Sequence, residues 1–238
     1  MRSIMRIAVL TALSVCVIIA CVACSSSSNS SSSSASNASS TNAQTRSSQA
    51  SYTTQAEGDF ASGIHHATVK VEGYEPFVIT LDANNAPVSV ANFCKLAQDG
   101  FYNGKAFYRI VEGFCLQGGS EGDSSYALKT NLVPIIGEFS ENGVKNALAD
   151  KFVKGTVAMA RTSDPNSATS TFFITLGSTA NVSDSLDGKY AAFGTIDEPG
   201  MQIVDSIVSD HAKYATGQAG SIDEPKNMPR IESITIND

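Results

Sequence analysis

Residues 100–119 read GFYNGKAFYRIVEGFCLQGG, and the reading of this run decides how the rest of the chain is understood. Gly100, Gly104, Gly113 and the Gly118-Gly119 pair mark turns, and apolar residues dominate 105–111 and 114–117 between them, as in short strands. Arg109 falls two positions after Phe107, so strict alternation sets a guanidinium on the same strand face as an aromatic ring. Taken alone, such an Arg can equally pack its stem on an edge strand and leave its head in water. Phe114 and Gln117 follow it, likewise among apolar neighbours.

Working outward, Ala67, Val69 and Val71 alternate with Thr68, Lys70 and Glu72, and Phe77, Ile79 and Leu81 alternate in turn after a Gly-containing break. That pattern predicts a hairpin with one buried face. Asn85 offers an N-cap, Pro87 suits a first helical turn, and Val90, Phe93, Cys94 and Ala97 form an apolar stripe ending at Gly100. A second helix is expected over 200–208, with Met201, Val204 and Val208 inward. Further strands are expected at 156–160, 171–176, 191–196 and 231–236. Many short strands with Gly, Asn and Asp turns and only two helices favour a mainly β fold, an antiparallel β-barrel capped by α-helices.

The 238-residue chain has a formal net charge of −7, but its amino-terminal part differs sharply from the rest. Arg2 and Arg6 precede 14 uncharged apolar residues, 7–20. A membrane span needs about 20, so residues 1–20 are expected to form an export signal. Ile18-Ile19-Ala20-Cys21 resembles a bacterial lipobox, which makes Cys21 the expected lipidation site, with Cys24 as the alternative. Several acyl chains would hold the protein at a membrane surface without spanning it. Residues 21–58 are Ser-rich, too poor in aliphatics to fold, and expected to act as a lipid-anchored linker. The folded domain is expected over 59–238. Beyond residue 60 the chain carries 13 basic and 21 acidic residues, which argues against a nucleic-acid partner. Cys94 and Cys115 sit in apolar patterns and are expected to stay unpaired. The three histidines, His65, His66 and His211, show no metal-ligand spacing.

Two more segments complete the pattern: VAMARTSDPNSATSTFFI at 157–174 and LDGKYAAFG at 186–194. Together with 100–119 they resemble the cyclophilin family of peptidyl-prolyl cis/trans isomerases, in order from about Ala67 to Ile236. The resemblance implies an eight-stranded antiparallel β-barrel capped by two α-helices, a surface groove for proline-containing peptides, and no cofactor. It makes Arg109 the catalytic guanidinium, Phe114 a wall of the proline pocket and Gln117 a partner of substrate and Arg109. Cys115, Thr171, Phe173, Leu186 and Tyr190 would line the substrate site, and the backbone at Ala160 and Arg161 would pair with the peptide.

Four positions depart from the common family pattern: Cys115 for Met, Thr171 for Gln, Ser185 for Trp and Tyr190 for His. Ser185 implies weak cyclosporin binding, since an indole's area and N–H donor are missing. The resulting expectation is a monomeric, exported isomerase, lipid-anchored on the outer face of the bacterial cytoplasmic membrane and assisting the folding of exported proteins. The alternative is a catalytically weak proline-peptide-binding or scaffold module at the cell surface.

Overall fold

The computed structural model describes residues 51–120 and 131–238. The expected signal segment, most of the linker, and Cys21 and Cys24 lie outside the described residues. β1 (Ile64–Val71) and β2 (Phe77–Asp82) form the expected hairpin, antiparallel, with Val69 opposite Phe77. Ala67, Val69, Val71, Phe77, Ile79 and Leu81 all point into the core. β3 (Phe107–Val111), β4 (Cys115–Gly118), β5 (Thr156–Met159), β6 (Phe172–Thr175), β7 (Ala192–Thr195) and β8 (Ile231–Ile236) complete one antiparallel sheet. Its eight strands run in the order β3-β4-β6-β5-β7-β2-β1-β8.

The sheet curls until its two ends meet. Phe107 N donates to Pro229 O at 2.9 Å, Gly104 N to Ile231 O at 2.8 Å, and Ile231 N to Lys105 O at 2.8 Å. Joining the ends gives partners to backbone groups that an open edge would leave exposed.

α1 (Pro87–Gln98) covers one opening of the barrel, burying Val90, Phe93, Cys94 and Ala97. Phe93 stands 5.1–5.5 Å from the rings of Tyr102, Phe172 and Phe193, an aromatic centre that ties the helix to the strands. α3 (Glu198–His211) is longer than the 200–208 expected. Its start is set by Asp197, whose carboxylate accepts from Gly200 N at 2.9 Å, and by Pro199; both precede the apolar stripe. A short third helix, α2 (Ala180–Leu186), adds to the two expected. Only Val182 and Leu186 are buried on it, too few to register as a stripe.

The cap of α1 differs from the expectation. Asn85 is drawn away: its Nδ2 donates to Asp82 Oδ2 at 2.7 Å and its Oδ1 accepts from Ala147 N at 3.1 Å. Ala86 occupies the N-cap without a side-chain bond. The helix's first donors go instead to Glu138, which accepts from Val88 N at 3.0 Å, Ser89 N at 2.8 Å and Ser89 Oγ at 2.6 Å. Burial pushes the Glu138 carboxyl above its ordinary range, although these bonds pull the other way.

The folded body also begins before residue 59. Thr53 N donates to Pro134 O and Thr53 O accepts from Ile136 N, both at 2.8 Å, and Ala56 and Phe60 pack against the core. Polar composition hides this strap because backbone pairing needs no apolar side chain.

Cys94 and Cys115 are both buried and unpaired. His65 and His66 lie on β1, and His65 Nδ1 stands 2.7 Å from Asp238 Oδ2.

Candidate active site

Register brings the site together. Arg109 on β3 faces Gln117 on β4, and Gln117 faces Phe173 on β6. The β3–β4 crossing is close: a Cβ at Gly118 would lie 2.5 Å from Ala106 O, so the glycine after Gln117 is a steric requirement.

Arg109 is half-buried and held on several sides. Its Nε donates to Ala219 O at 2.8 Å, and one terminal nitrogen donates to Gln117 Oε1 and Cys115 Sγ, each at 3.0 Å. Among the described residues it takes part in no salt bridge. Ala219 has φ 56° and ψ 27°, a left-handed backbone uncommon for a residue with a Cβ, and this turn aims its carbonyl at the guanidinium. The chain after it runs along β3, where Ile222 N donates to Tyr108 O at 2.8 Å.

Below the guanidinium lies a cavity of about 160 Å³, lined by Arg109, Phe114, Cys115, Gln117, Ala160, Arg161, Phe173, Leu186 and Tyr190. The Phe114 ring centroid is 5.9 Å from the Arg109 guanidinium carbon. Phe173 meets Tyr190 edge-on at 5.6 Å and stacks on Phe152 at 6.2 Å, so the deeper wall is braced from behind. Burial pushes the Cys115 thiol up to about 11 despite the pull of the Arg109 charge, which keeps it protonated at neutral pH.

A second cavity, of about 460 Å³, shares Arg109, Gln117, Ala160 and Arg161 with the first and extends to Tyr108, Thr162, Ser167, Thr169, Thr171, Gln218 and Ala219. Of the residues expected at the substrate site, Thr171 alone lines this neighbour and not the smaller cavity.

The backbone amide of Ala160 and the side chain of Arg161 both belong to the framework of the site. Ala160 N donates to Thr171 O at 2.8 Å, so that amide is committed within the protein and not free for a peptide. Arg161 contributes its side chain: the guanidinium carbon lies 4.6 Å from the Tyr190 ring centroid and 5.2 Å from that of Phe139. Its Nε also donates to Lys189 O at 2.9 Å, tying one cavity wall to the other.

Tyr108 is the residue that strict alternation misses. The β3–β4 register slips between Phe107 and Arg109: Phe107 faces Gly118 and Arg109 faces Gln117, so three residues of β3 span two of β4. Such a bulge brings neighbouring side chains toward one side. Phe107 accordingly packs on Phe172 at 5.8 Å in the interior, while Tyr108 and Arg109 both reach the groove. The Tyr108 hydroxyl oxygen accepts from Gln117 Nε2 at 2.8 Å, and Thr171 lines the same cavity. Burial raises the Tyr108 pKa, with the Gln117 bond and the Arg109 charge opposing the shift.

Among the described residues no group of three or more His, Cys, Asp and Glu side chains stands together as a metal site requires.

The profile of the cyclophilin type peptidyl-prolyl cis-trans isomerase family matches residues 66–236. Peptidyl-prolyl cis-trans isomerase B of Escherichia coli K12 is 38% identical over 166 residues, 68% of this chain and 93% of that protein. A peptidyl-prolyl cis-trans isomerase of Acinetobacter baylyi is 40% identical over 160 residues, 66% of this chain and 78% of the relative. For peptidyl-prolyl cis-trans isomerase A of Dickeya dadantii the figures are 39% over 130 residues, 54% of this chain and 64% of the relative. The crystal structure of a cyclophilin type isomerase from Cryptosporidium parvum superposes with a TM-score of 0.59 at 20% identity. It covers 74% of this chain and 99% of that one, a likeness of fold.

Proposed function

The chain belongs to the cyclophilin-type peptidyl-prolyl cis-trans isomerase family, and from that premise we propose that its groove accelerates rotation about X-Pro peptide bonds in exported proteins. It is a peptidyl-prolyl cis-trans isomerase, with Arg109 as the catalytic group. The observation that carries this reading is the Arg109 guanidinium, held by Gln117, Cys115 and Ala219 over a small pocket walled by Phe114, Phe173 and Leu186.

The chemistry demanded is modest. Rotation of a peptide bond is opposed by about 18–20 kcal/mol because the nitrogen lone pair is delocalised into the carbonyl. No covalent bond breaks, so neither nucleophile nor proton transfer is required. As the bond twists, the prolyl nitrogen pyramidalises and its lone pair localises. A guanidinium beside that nitrogen attracts the lone pair most strongly in the twisted state, which lowers the barrier selectively. The planar fork of the Arg109 guanidinium serves Gln117 and substrate at once. Phe114, Phe173 and Leu186 grip the proline ring while the other side of the bond swings.

Location completes the proposal. Residues 1–20 direct export, Cys21 carries the lipid, with Cys24 as the alternative, and the Ser-rich segment that follows holds the isomerase off the outer face of the cytoplasmic membrane. There it acts as a monomer on unfolded proteins as they emerge. Ser185, exposed on α2, offers cyclosporin no indole, so affinity for that ligand is low.

Exchange NMR on an Ala-Pro-containing peptide tests the catalytic reading, since it reports rate and binding together. The protein should accelerate interconversion at catalytic concentration. Clear peptide binding without acceleration would instead establish the scaffold alternative. For the anchor, Cys21→Ser should lose acyl labelling and leave the membrane fraction, while loss of label in Cys24→Ser alone would move the site to Cys24.

A further inference from the structure

We infer that Tyr108 is a positioning residue for the isomerisation, acting through Gln117 on Arg109; this rests on the catalytic reading of Arg109 above. The starting point is a restriction on Gln117. Its side-chain amide has an acceptor end and a donor end, and Arg109 presents only N–H groups. Gln117 therefore must turn Oε1 toward Arg109, as the 3.0 Å bond records. Its Nε2 is then driven to the opposite side, where only an acceptor can receive it. The Tyr108 hydroxyl oxygen, 2.8 Å away, is that acceptor.

The hydroxyl is placed there by three features of this chain. The register slip between Phe107 and Arg109 turns Tyr108 toward the same groove as Arg109. Tyr108 is itself buried, which fixes its ring. Thr171, which lines the same cavity, is short and leaves room for the long Tyr108 side chain. The result is a continuous polar chain, Tyr108 to Gln117 to Arg109, whose last two members line both cavities.

Without the phenolic oxygen, Gln117 can rotate or flip. A flipped amide would set Nε2 against the Arg109 terminal nitrogen, donor against donor, and the guanidinium would lose one of the contacts that hold it above the proline pocket. Binding of the proline ring depends on Phe114, Phe173 and Leu186 and would be little affected. The expected signature of Tyr108→Phe is thus a lower turnover with peptide binding nearly unchanged.

The test is a double-mutant cycle on the full chain, with Tyr108→Phe, Gln117→Leu and the double variant measured by exchange NMR and checked by thermal melting. Tyr108→Phe should lower kcat roughly three- to tenfold, the range expected for one lost hydrogen bond, with KM within about twofold. In the Gln117→Leu background it should have no further effect. The Gln117 side-chain amide signals should be sharp in the wild type and broaden or move in Tyr108→Phe. Should Tyr108→Phe fold poorly, the wild type itself supplies the test: one Gln117 side-chain amide proton should be protected from solvent exchange by the Tyr108 oxygen, and equally fast exchange of both would overturn the inference. A Tyr108→Phe protein with wild-type kcat, or with the same loss in both backgrounds, would overturn the inference while leaving Arg109 catalysis intact. A wild type without measurable rate would overturn both.

Discussion

Two ionisable side chains withdrawn from solvent sit in this barrel, half-buried Arg109 at the groove and buried Glu138 at the start of α1, and neither belongs to a salt bridge among the described residues. Each is held by neutral dipoles. Arg109 is surrounded by acceptors, namely the Ala219 carbonyl, Gln117 Oε1 and Cys115 Sγ. Glu138 is surrounded by donors, Val88 N, Ser89 N and Ser89 Oγ. They differ in what lies beyond the ring of partners. Arg109 opens onto a cavity, so its field is available to whatever enters. Glu138 is sealed, and its charge complements the donor end of a helix. A charge without an ionic partner is therefore a catalytic feature in one place and a structural one in the other, and accessibility separates the cases.

The largest expected effect breaks that contrast at the groove. Arg109→Ala should lower isomerisation about 10²–10³-fold, as for removal of a single electrostatic donor from an active site, and shift the melting temperature little. Arg109→Lys should restore only part of the rate, because a point charge cannot hold Gln117 and substrate together. If Arg109→Ala melts early but retains its rate, the two charges share one structural role.

Glu138→Ala tests the opposite pole. It leaves buried donors at the start of α1 without an acceptor and should destabilise the fold by about 2–4 kcal/mol, read as a lower denaturation midpoint. Activity per folded molecule should be retained, and a loss of rate exceeding the loss of folded protein would tie Glu138 to the site.

A smaller effect concerns pH. The folded-state pKa of Glu138 is raised, so the native state binds more protons than the unfolded state, and stability from this group falls as pH rises. Its contribution is complete below the unfolded value of 4.5 and declines as pH passes upward through the folded value. The melting-temperature difference between wild type and Glu138→Gln should accordingly shift against the wild type as pH rises from 4.5. A constant difference would mean that Glu138 does not titrate as its burial demands.

The smallest expected effect is none. Cys115 is pushed up to about 11 and Tyr108 is raised as well, so kcat should stay flat between about pH 6 and 9. A step in that range would reveal a titrating group in the groove.

Much of the molecule is legible from local pattern alone. The hairpin of β1 and β2 follows from period-two alternation, α1 from Pro87 and an apolar stripe, and the residues of the groove from three motifs whose order resembles a known family. Charge and composition set the amino-terminal 58 residues apart from the rest of the chain. These features depend on neighbours in sequence, which is why sequence suffices for them.

Tertiary structure decided what depends on partners far along the chain. Asn85 looked like a cap, but Asp82 and Ala147 N occupy it, and the α1 donors go to Glu138, 50 residues away from Val88. Thr53 joins the body through backbone bonds that its polar neighbours do not announce. The carbonyl of Ala219 reaches Arg109 across 110 residues. Tyr108 enters the groove only because β3 gains one residue against β4, a slip that alternation cannot encode because alternation assumes that none occurs. Sequence determined which side chains were available; the packing of strand on strand determined which of them meet.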